Sequence, residues 1–324
     1  EQIELDLLDV SEMRDDAYAV MVAGLGSPVA MLDPDMPRFG PDAVFAYRAF
    51  QKAFAAEGKK LEYLYSGEMG GFNTFTPMLV AILSDKDPAK RIKFVDADGN
   101  GRAVPELNTT INAFYDHPPK PMGMGSLYGD EIIVYPTTDH SGEQIARQMC
   151  MLYNMRIGFA TWGMNKEEIT NILDVGCVTK AQKIGKAILT AKETGSDVMD
   201  ELKKAFEVRE FCRGTIEKLD LRAEGGFDFG TTVIKGDDGH TYYIDFKNEN
   251  LILRDEKGDT IMTAPEGIGM IDLNNCFPLT NADTKEGMRV LVTMTPAHPN
   301  WWDEDHKAYA CWLSELKKGD QVRY

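Results

Sequence analysis

The stretch Arg91-Ile-Lys-Phe-Val-Asp-Ala-Asp-Gly-Asn-Gly-Arg-Ala-Val-Pro-Glu106 decides how the chain reads. Arg91 to Val95 is a short apolar-rich run of strand character. It passes without a spacer into acidic residues and glycines, the composition of a tight loop. The same arrangement recurs upstream. Tyr18-Ala-Val-Met-Val-Ala23 is an apolar run that ends in Gly24-Leu-Gly-Ser-Pro28, and Leu61-Glu-Tyr-Leu-Tyr65 ends in Ser66-Gly-Glu-Met-Gly-Gly-Phe-Asn73. Between these runs lie helical patterns. Pro41 to Ala56 carries Ala43, Tyr47, Phe50 and Phe54 at helical spacing behind a proline, and Thr76 to Ser84 reads as a second helix. Strands alternating with helices predict a mainly parallel α/β sheet domain. Ligands of such sheets bind beyond the carboxyl ends of the strands, where the glycine-rich loops sit.

Working outward, Ile132 to Tyr135 and Gly158 to Trp162 read as further strands. Glu143 to Tyr153, Thr179 to Thr190 and Val198 to Phe206 read as helices. Near Val208 the character changes to short β-rich runs separated by turns. Examples are Arg213–Leu221, Gly230–Ile234, Thr241–Phe246, Asn250–Leu253 and Met288–Met294. Asp237-Asp-Gly239 and Glu256-Lys-Gly258 are hairpin signals. The expectation is an α/β domain over residues 1–207 that carries the site, followed by a smaller β-rich domain over 208–324. No internal repeat or low-complexity tract interrupts either.

With 324 residues the chain can bury a large core without staples. Its formal net charge of −17 argues against nucleic acid or an anionic membrane as partner, since both need clustered Lys and Arg. No apolar run is long enough to span a bilayer, and Glu1-Gln-Ile-Glu-Leu-Asp6 lacks the basic and apolar regions of a signal peptide. Cys150, Cys177, Cys212, Cys276 and Cys311 are odd in number and widely spaced, a pattern of reduced thiols. A cytoplasmic location is expected.

Asp96, Asp98 and Glu106 are candidates to move protons or bind a divalent metal, and Arg102 to hold a carboxylate or balance developing charge. Glu68 is a further acid–base candidate. The amides around Gly70 and Gly71, with Asn73, form a candidate anion-binding nest. Asp96, Asp98, Asn100 and Gly101 match positions one, three, five and six of a calcium-binding loop. Position twelve is Leu107 where a bidentate Glu is required, and Pro105 lies inside the loop, so the match fails. Among the five histidines His140, in Thr137-Thr-Asp-His-Ser141 with Glu143 nearby, is the best placed for acid–base or metal work. A surface role is the plainer reading. His117, in Asp116-His-Pro-Pro, shows no ligand spacing, and no GxSxG elbow, Walker loop or HExxH motif is present.

Asp96-Ala-Asp-Gly-Asn-Gly-Arg-Ala-Val-Pro-Glu-Leu107 resembles the central motif of the S-methyl-thiohydantoin desulfurase-like family. Supporting stretches follow in the family's order: Glu68-Met-Gly-Gly-Phe-Asn73, Gly176 to Ile188, Glu224-Gly-Gly-Phe-Asp-Phe-Gly-Thr231 and Phe246-Lys-Asn-Glu-Asn-Leu251. Together they cover most of the chain. The resemblance implies an α/β domain before a β-rich one, and hydantoinase-type chemistry on a five-membered cyclic thioamide or amide. Water would displace sulfur at the thiocarbonyl-derived carbon or open the ring. Asp96, Asp98, Glu106 and Glu68 would then activate water or bind metal. Arg102, Gly70, Gly71 and Asn73 would anchor substrate, with Asn248, Glu249 and Asn250 closing from the second domain. Relative to the family's pattern the chain starts past an initial helix and glycine-rich loop, which a preceding segment or a partner is expected to supply. The alternative is a non-catalytic binding or accessory subunit of a hydantoinase-like complex. A homo-oligomer is an equal expectation.

Overall fold

Lys93–Asp98 is the strand β4, and its last residue, Asp98, pairs across the sheet with Ser66. That register sets the first of two units in the computed structural model, which describes residues 4–26, 40–115, 117–224, 227–314 and 322–324. Ser27, Pro28, Asp116, Gly225, Gly226 and the first three residues, all cited above, lie outside the described residues. The units comprise residues 1–178 with 303–308, and 179–302 with 309–324.

The first unit is built on a mixed sheet. Its strands are β1 (Leu7–Leu8), β2 (Tyr18–Gly26), β3 (Leu61–Ser66), β4, β5 (Met122–Gly125), β6 (Glu131–Val134), β7 (Arg156–Asn165) and β8 (Asp174–Val175). The order is β1-β4-β3-β2-β7-β5-β6, with β8 on β4. From β1 to β2 every pair is parallel, as the strand–helix alternation predicts. From β2 through β7 and β5 to β6 every pair is antiparallel. The α/β class holds, and the sheet is parallel on one half only.

Helix α1 (Pro41–Ala56) turns Ala43, Ala46, Tyr47, Phe50 and Phe54 inward, the stripe read from the sequence. Full burial of Phe50 contributes roughly 1.5–3 kcal/mol. The helix lies close on the antiparallel half because Gly158 and Gly125 carry no side chain there. A Cβ on Gly158 would stand 2.4 Å from the Asp42 carbonyl oxygen, and one on Gly125 2.2 Å from it. Helix α2 (Phe75–Ser84) adds Val80 and Ala81 to the same core. The unit also contains α3 (Asp139–Leu152) and α4 (Lys166–Ile172). Asp42 and Arg156, both buried, form an ion pair at 2.9 Å.

The second unit is an antiparallel sheet of order β13-β12-β11-β10-β9-β16-β14-β15. Its strands are β9 (Arg209–Glu224), β10 (Phe227–Gly236), β11 (Thr241–Lys247), β12 (Glu249–Arg254), β13 (Thr260–Thr263), β14 (Gly267–Asp272), β15 (Phe277–Pro278) and β16 (Arg289–Thr295). Both hairpin turns fall where the sequence places them, with Gly239 and Gly258 at φ of 88° and 86°. Period-two alternation divides β16 between two cores. Val290 and Val292 join Ile216, Ile234, Ile244 and Leu253, while Leu291 packs with Ile271 and helix α6 (Val198–Ala205). Helix α5 (Cys177–Thr194) starts in the first unit and runs into the second. No helix among the described residues is long and apolar enough to cross a membrane.

Candidate functional site

Three parallel strands end side by side, so the loops after β3 and β4 meet at the end of β2. The loop after β4 folds around the Asp98 carboxyl. Asp98 Oδ1 accepts from the N–H of Asn100 (2.9 Å) and of Gly101 (2.6 Å), an Asx-type turn. Glycine is required twice. Gly101 has φ +67°, and a Cβ on Gly99 would stand 2.7 Å from the Gly67 carbonyl oxygen. The Gly99 N–H donates to Ser66 O (2.9 Å), stitching the loop to β3. Asn100 completes it: Nδ2 donates to Gly67 O (2.7 Å), and Oδ1 accepts from the Ile111 N–H (2.9 Å). The side chain that imitates a calcium ligand in the sequence thus bridges two loops.

Asp98 is fully buried, and its second oxygen, Oδ2, has no hydrogen-bond partner among the described residues. Burial pushes the carboxyl up to about 7. The Asn100 and Gly101 amides pull the other way, as does the Ser66 hydroxyl, and the Glu68 charge adds to the rise. The Ser66 hydroxyl itself donates to Glu68 O (3.0 Å).

Glu68 is half-buried and held from two sides. Oε2 accepts from the Val104 N–H (2.8 Å), and Oε1 from Asn73 Nδ2 (2.6 Å). Burial raises its pKa, with Val104, Asn73 and the Arg102 charge opposing. Asn73 also clamps Gly24 at the end of β2, accepting from its N–H (2.8 Å) and donating to its carbonyl (3.1 Å). Glu68, Asn73, Asp98 and Arg102 therefore belong to one hydrogen-bonded and electrostatic assembly.

The other predicted residues sit differently. Asp96 is buried, and its Oδ1 accepts from the Val178 N–H (2.8 Å) at the beginning of α5. The Glu106 N–H donates to Thr109 Oγ1 (3.2 Å), starting a short 3-10 turn over Leu107–Thr109. Gly70 and Gly71 are exposed, and the Gly70 N–H is already given to Thr74 Oγ1 (3.1 Å). His140 is exposed on the first turn of α3. Among the described residues no group of three or more His, Cys, Asp and Glu is placed to hold a metal ion. Asn248, Glu249 and Asn250 belong to the second unit. There Asn248 has φ +57°, its Oδ1 accepts from the Asp228 N–H (2.8 Å), and Asn250 Nδ2 donates to Ile268 O (2.9 Å).

Two residues have a part that sequence reading missed. Glu143 and Arg147, one turn apart on α3, form a buried pair at 2.7 Å. Glu143 Oε2 accepts from the Leu107 N–H (3.0 Å), and an Arg147 amino group donates to Pro105 O (3.3 Å). This latch fixes the far end of the Asp98 loop. The i, i+4 Glu–Arg spacing was the available signal. Tyr65, also buried beside Asp98, donates to Trp162 O (2.8 Å), and burial raises its pKa.

A separate groove of about 380 Å³ is lined by Asp15, Asn165, Lys166, Glu167, Thr170 and Asn171. Its cation is committed, because Lys166 Nζ donates to Ser11 O (2.7 Å) and Met13 O (3.1 Å).

Family models described as the S-Me-THD-like N-terminal and C-terminal domains match residues 1–136 and 137–310. A crystal structure of a protein from Chromobacterium violaceum shares the fold. It aligns over 98% of this chain and 87% of its own, with a TM-score of 0.78 and 22% identity. No curated protein matches the chain.

Proposed function

The chain belongs to the S-Me-THD-like family, and from that premise we propose that it is a hydrolase of small five-membered cyclic thioamides or amides, with Asp98 as its acid–base group. The observation that carries this reading is the Asp98 carboxyl: buried, raised to about 7, and with one oxygen left without a hydrogen-bond partner among the described residues. An acid–base group works best when its pKa lies near the operating pH.

On an S-methyl-thiohydantoin the reaction balances with water alone. Water adds to the ring carbon that bears sulfur. The carbon–sulfur bond breaks, methanethiol leaves, the water's second proton ends on the ring nitrogen, and a ring carbonyl remains. Ionised Asp98 takes the proton from the attacking water through Oδ2. The resulting acid then returns it to the departing thiolate, so one carboxyl serves both halves of the cycle. Its anchored Oδ1 keeps the carboxyl in one orientation while Oδ2 works. Arg102, close enough to act on Glu68, supplies positive charge at the site's edge for charge that builds on the ring. Glu68 and Asn73 hold the neighbouring loops in place.

Incubation with S-methyl-thiohydantoin, S-methylated amino-acid derivatives and plain hydantoins, followed by thiol release and ring absorbance, tests the proposal. Thiol release by wild type that disappears in Asp98→Asn supports it. Turnover unaffected by that change removes Asp98 from the role, and no turnover of any ring defeats the hydrolase reading.

A further inference from the structure

The loop that begins at Asp98 continues to Phe114 and carries a second unsatisfied group. Asn112 is 1% exposed, and both ends of its carboxamide, Oδ1 and Nδ2, lack hydrogen-bond partners among the described residues. Exchanging the two atoms does not cure this, because neither position has a partner. Asn108 Oδ1, on the same loop, is buried and unpartnered as well. A buried donor or acceptor left unmade forfeits its hydration with nothing in return. Buried polar groups of native folds nearly always have partners, so two such atoms on one side chain call for an explanation.

Asn112 is tied to the Asp98 assembly through Asn100. The Asn100 N–H donates to Asp98 Oδ1 (2.9 Å), and its side-chain oxygen accepts from the N–H of Ile111 (2.9 Å), the residue before Asn112. Asn112 thus follows directly on a peptide pinned to the turn that orients the Asp98 carboxyl.

We propose that Asn112 is the specificity residue of this site, reading the N–H and carbonyl of a cis-amide edge in a cyclic substrate. A carboxamide presents one donor and one acceptor side by side. A ring lactam, whose amide is held cis, presents the complementary pair in the same plane, so two parallel hydrogen bonds form. Hydantoins and the N3–H tautomer of S-methyl-thiohydantoins share such an edge, N3–H with C4=O, next to the carbon that exchanges sulfur for oxygen. An open-chain thioester or a trans amide offers no matching pair. The inference rests on the hydrolase reading for its substrate class, and it adds which edge of the ring is recognised and by what.

The test pairs two ligands with two variants. Hydantoin and its 1,3-dimethyl derivative, which lacks both ring N–H groups, are titrated by calorimetry into wild type, Asn112→Ala and Asn112→Asp. Asp keeps the shape and replaces the donor by an acceptor. Wild type is expected to bind hydantoin at least tenfold more tightly than the methylated ring, and both variants to lose that preference. In turnover, the variants raise KM for S-methyl-thiohydantoin and keep the pH profile of wild type. Equal binding of the two rings by wild type, or an unchanged preference in the variants, overturns the proposal. Thiol release with the preference unchanged in Asn112→Ala overturns this inference alone. Asn112-dependent hydantoin binding without any thiol release overturns the hydrolase reading alone. Variants that lose thermal stability yet keep the preference assign Asn112 to structure.

Discussion

Replacing Asp98 by Asn should change how stability depends on pH. The carboxyl titrates near 3.8 when free and at about 7 when folded. The native state therefore binds this proton more tightly than the unfolded state. Between pH ~4 and pH ~7 the unfolded chain has released it while the folded chain retains it, so stability falls as pH rises through that window. Three pKa units at about 1.36 kcal/mol each put the cost near ~4 kcal/mol above pH 7. At pH 5 less than half of it has developed. Asn cannot ionise, and its Oδ1 can still accept from the Asn100 and Gly101 amides, so the turn is kept. An unpartnered Nδ2 adds a penalty of about 1–3 kcal/mol that does not vary with pH. The variant's stability relative to wild type should thus improve by ~2–3 kcal/mol between pH 5 and pH 8.5. Urea unfolding of both proteins at several pH values, followed by circular dichroism, measures this. A difference that stays flat with pH, or one that turns against the variant as pH rises, refutes the buried, proton-binding carboxyl.

Arg147→Met should destabilise the protein by about 3–5 kcal/mol, because Glu143 is left buried without its cation. Thermal unfolding reads this, and Glu143→Gln added to Arg147→Met should recover part of the loss. Gly101→Ala should cost about 1–2 kcal/mol from its left-handed backbone and lower thiol release by disturbing the turn at Asp98. Parallel melting and activity curves test it. In the native protein Cys150 and Cys212, pushed up to about 11 and about 12 by burial, should resist iodoacetamide at pH 8. Peptide mapping should find Cys276, the least buried thiol, labelled first.

Much of the first unit's parallel half is legible in the sequence because β2, β3 and β4 are apolar runs that end at glycines. Pro41 to Ala56 is read to its ends, since Pro41 and the Phe50–Phe54 stripe are local signals. Met122-Gly-Met-Gly125 is not, because its strand character comes from α1 packing on the glycines, which no local pattern announces. The strand–helix alternation of the first hundred residues points to a mainly parallel sheet, and β7, antiparallel to β2, departs from it. Helix α4 was missed although Asn165 and Glu168 form a capping box at its start. In the second unit Gly267-Ile-Gly-Met-Ile-Asp272 was also missed, as its glycines break the alternation that marks a strand. The candidate site shows the same divide. Residue types single out Asp98, Glu68, Asn73 and Arg102. That Asn100 serves as a bridge, that Asp96 is engaged by the Val178 amide, and that the Asn112 carboxamide is buried without hydrogen-bond partners among the described residues all depend on residues distant in sequence.

The most direct test of the account is thiol release from S-methyl-thiohydantoin, measured from pH 5 to 9 for wild type and Asp98→Asn. The predicted result is a wild-type rate that rises through about pH 7 as Asp98 ionises. In the variant the rate falls by about 10²–10⁴-fold and loses that rise. A wild-type protein that releases no thiol, or a variant with the same rate and pH profile, would contradict it.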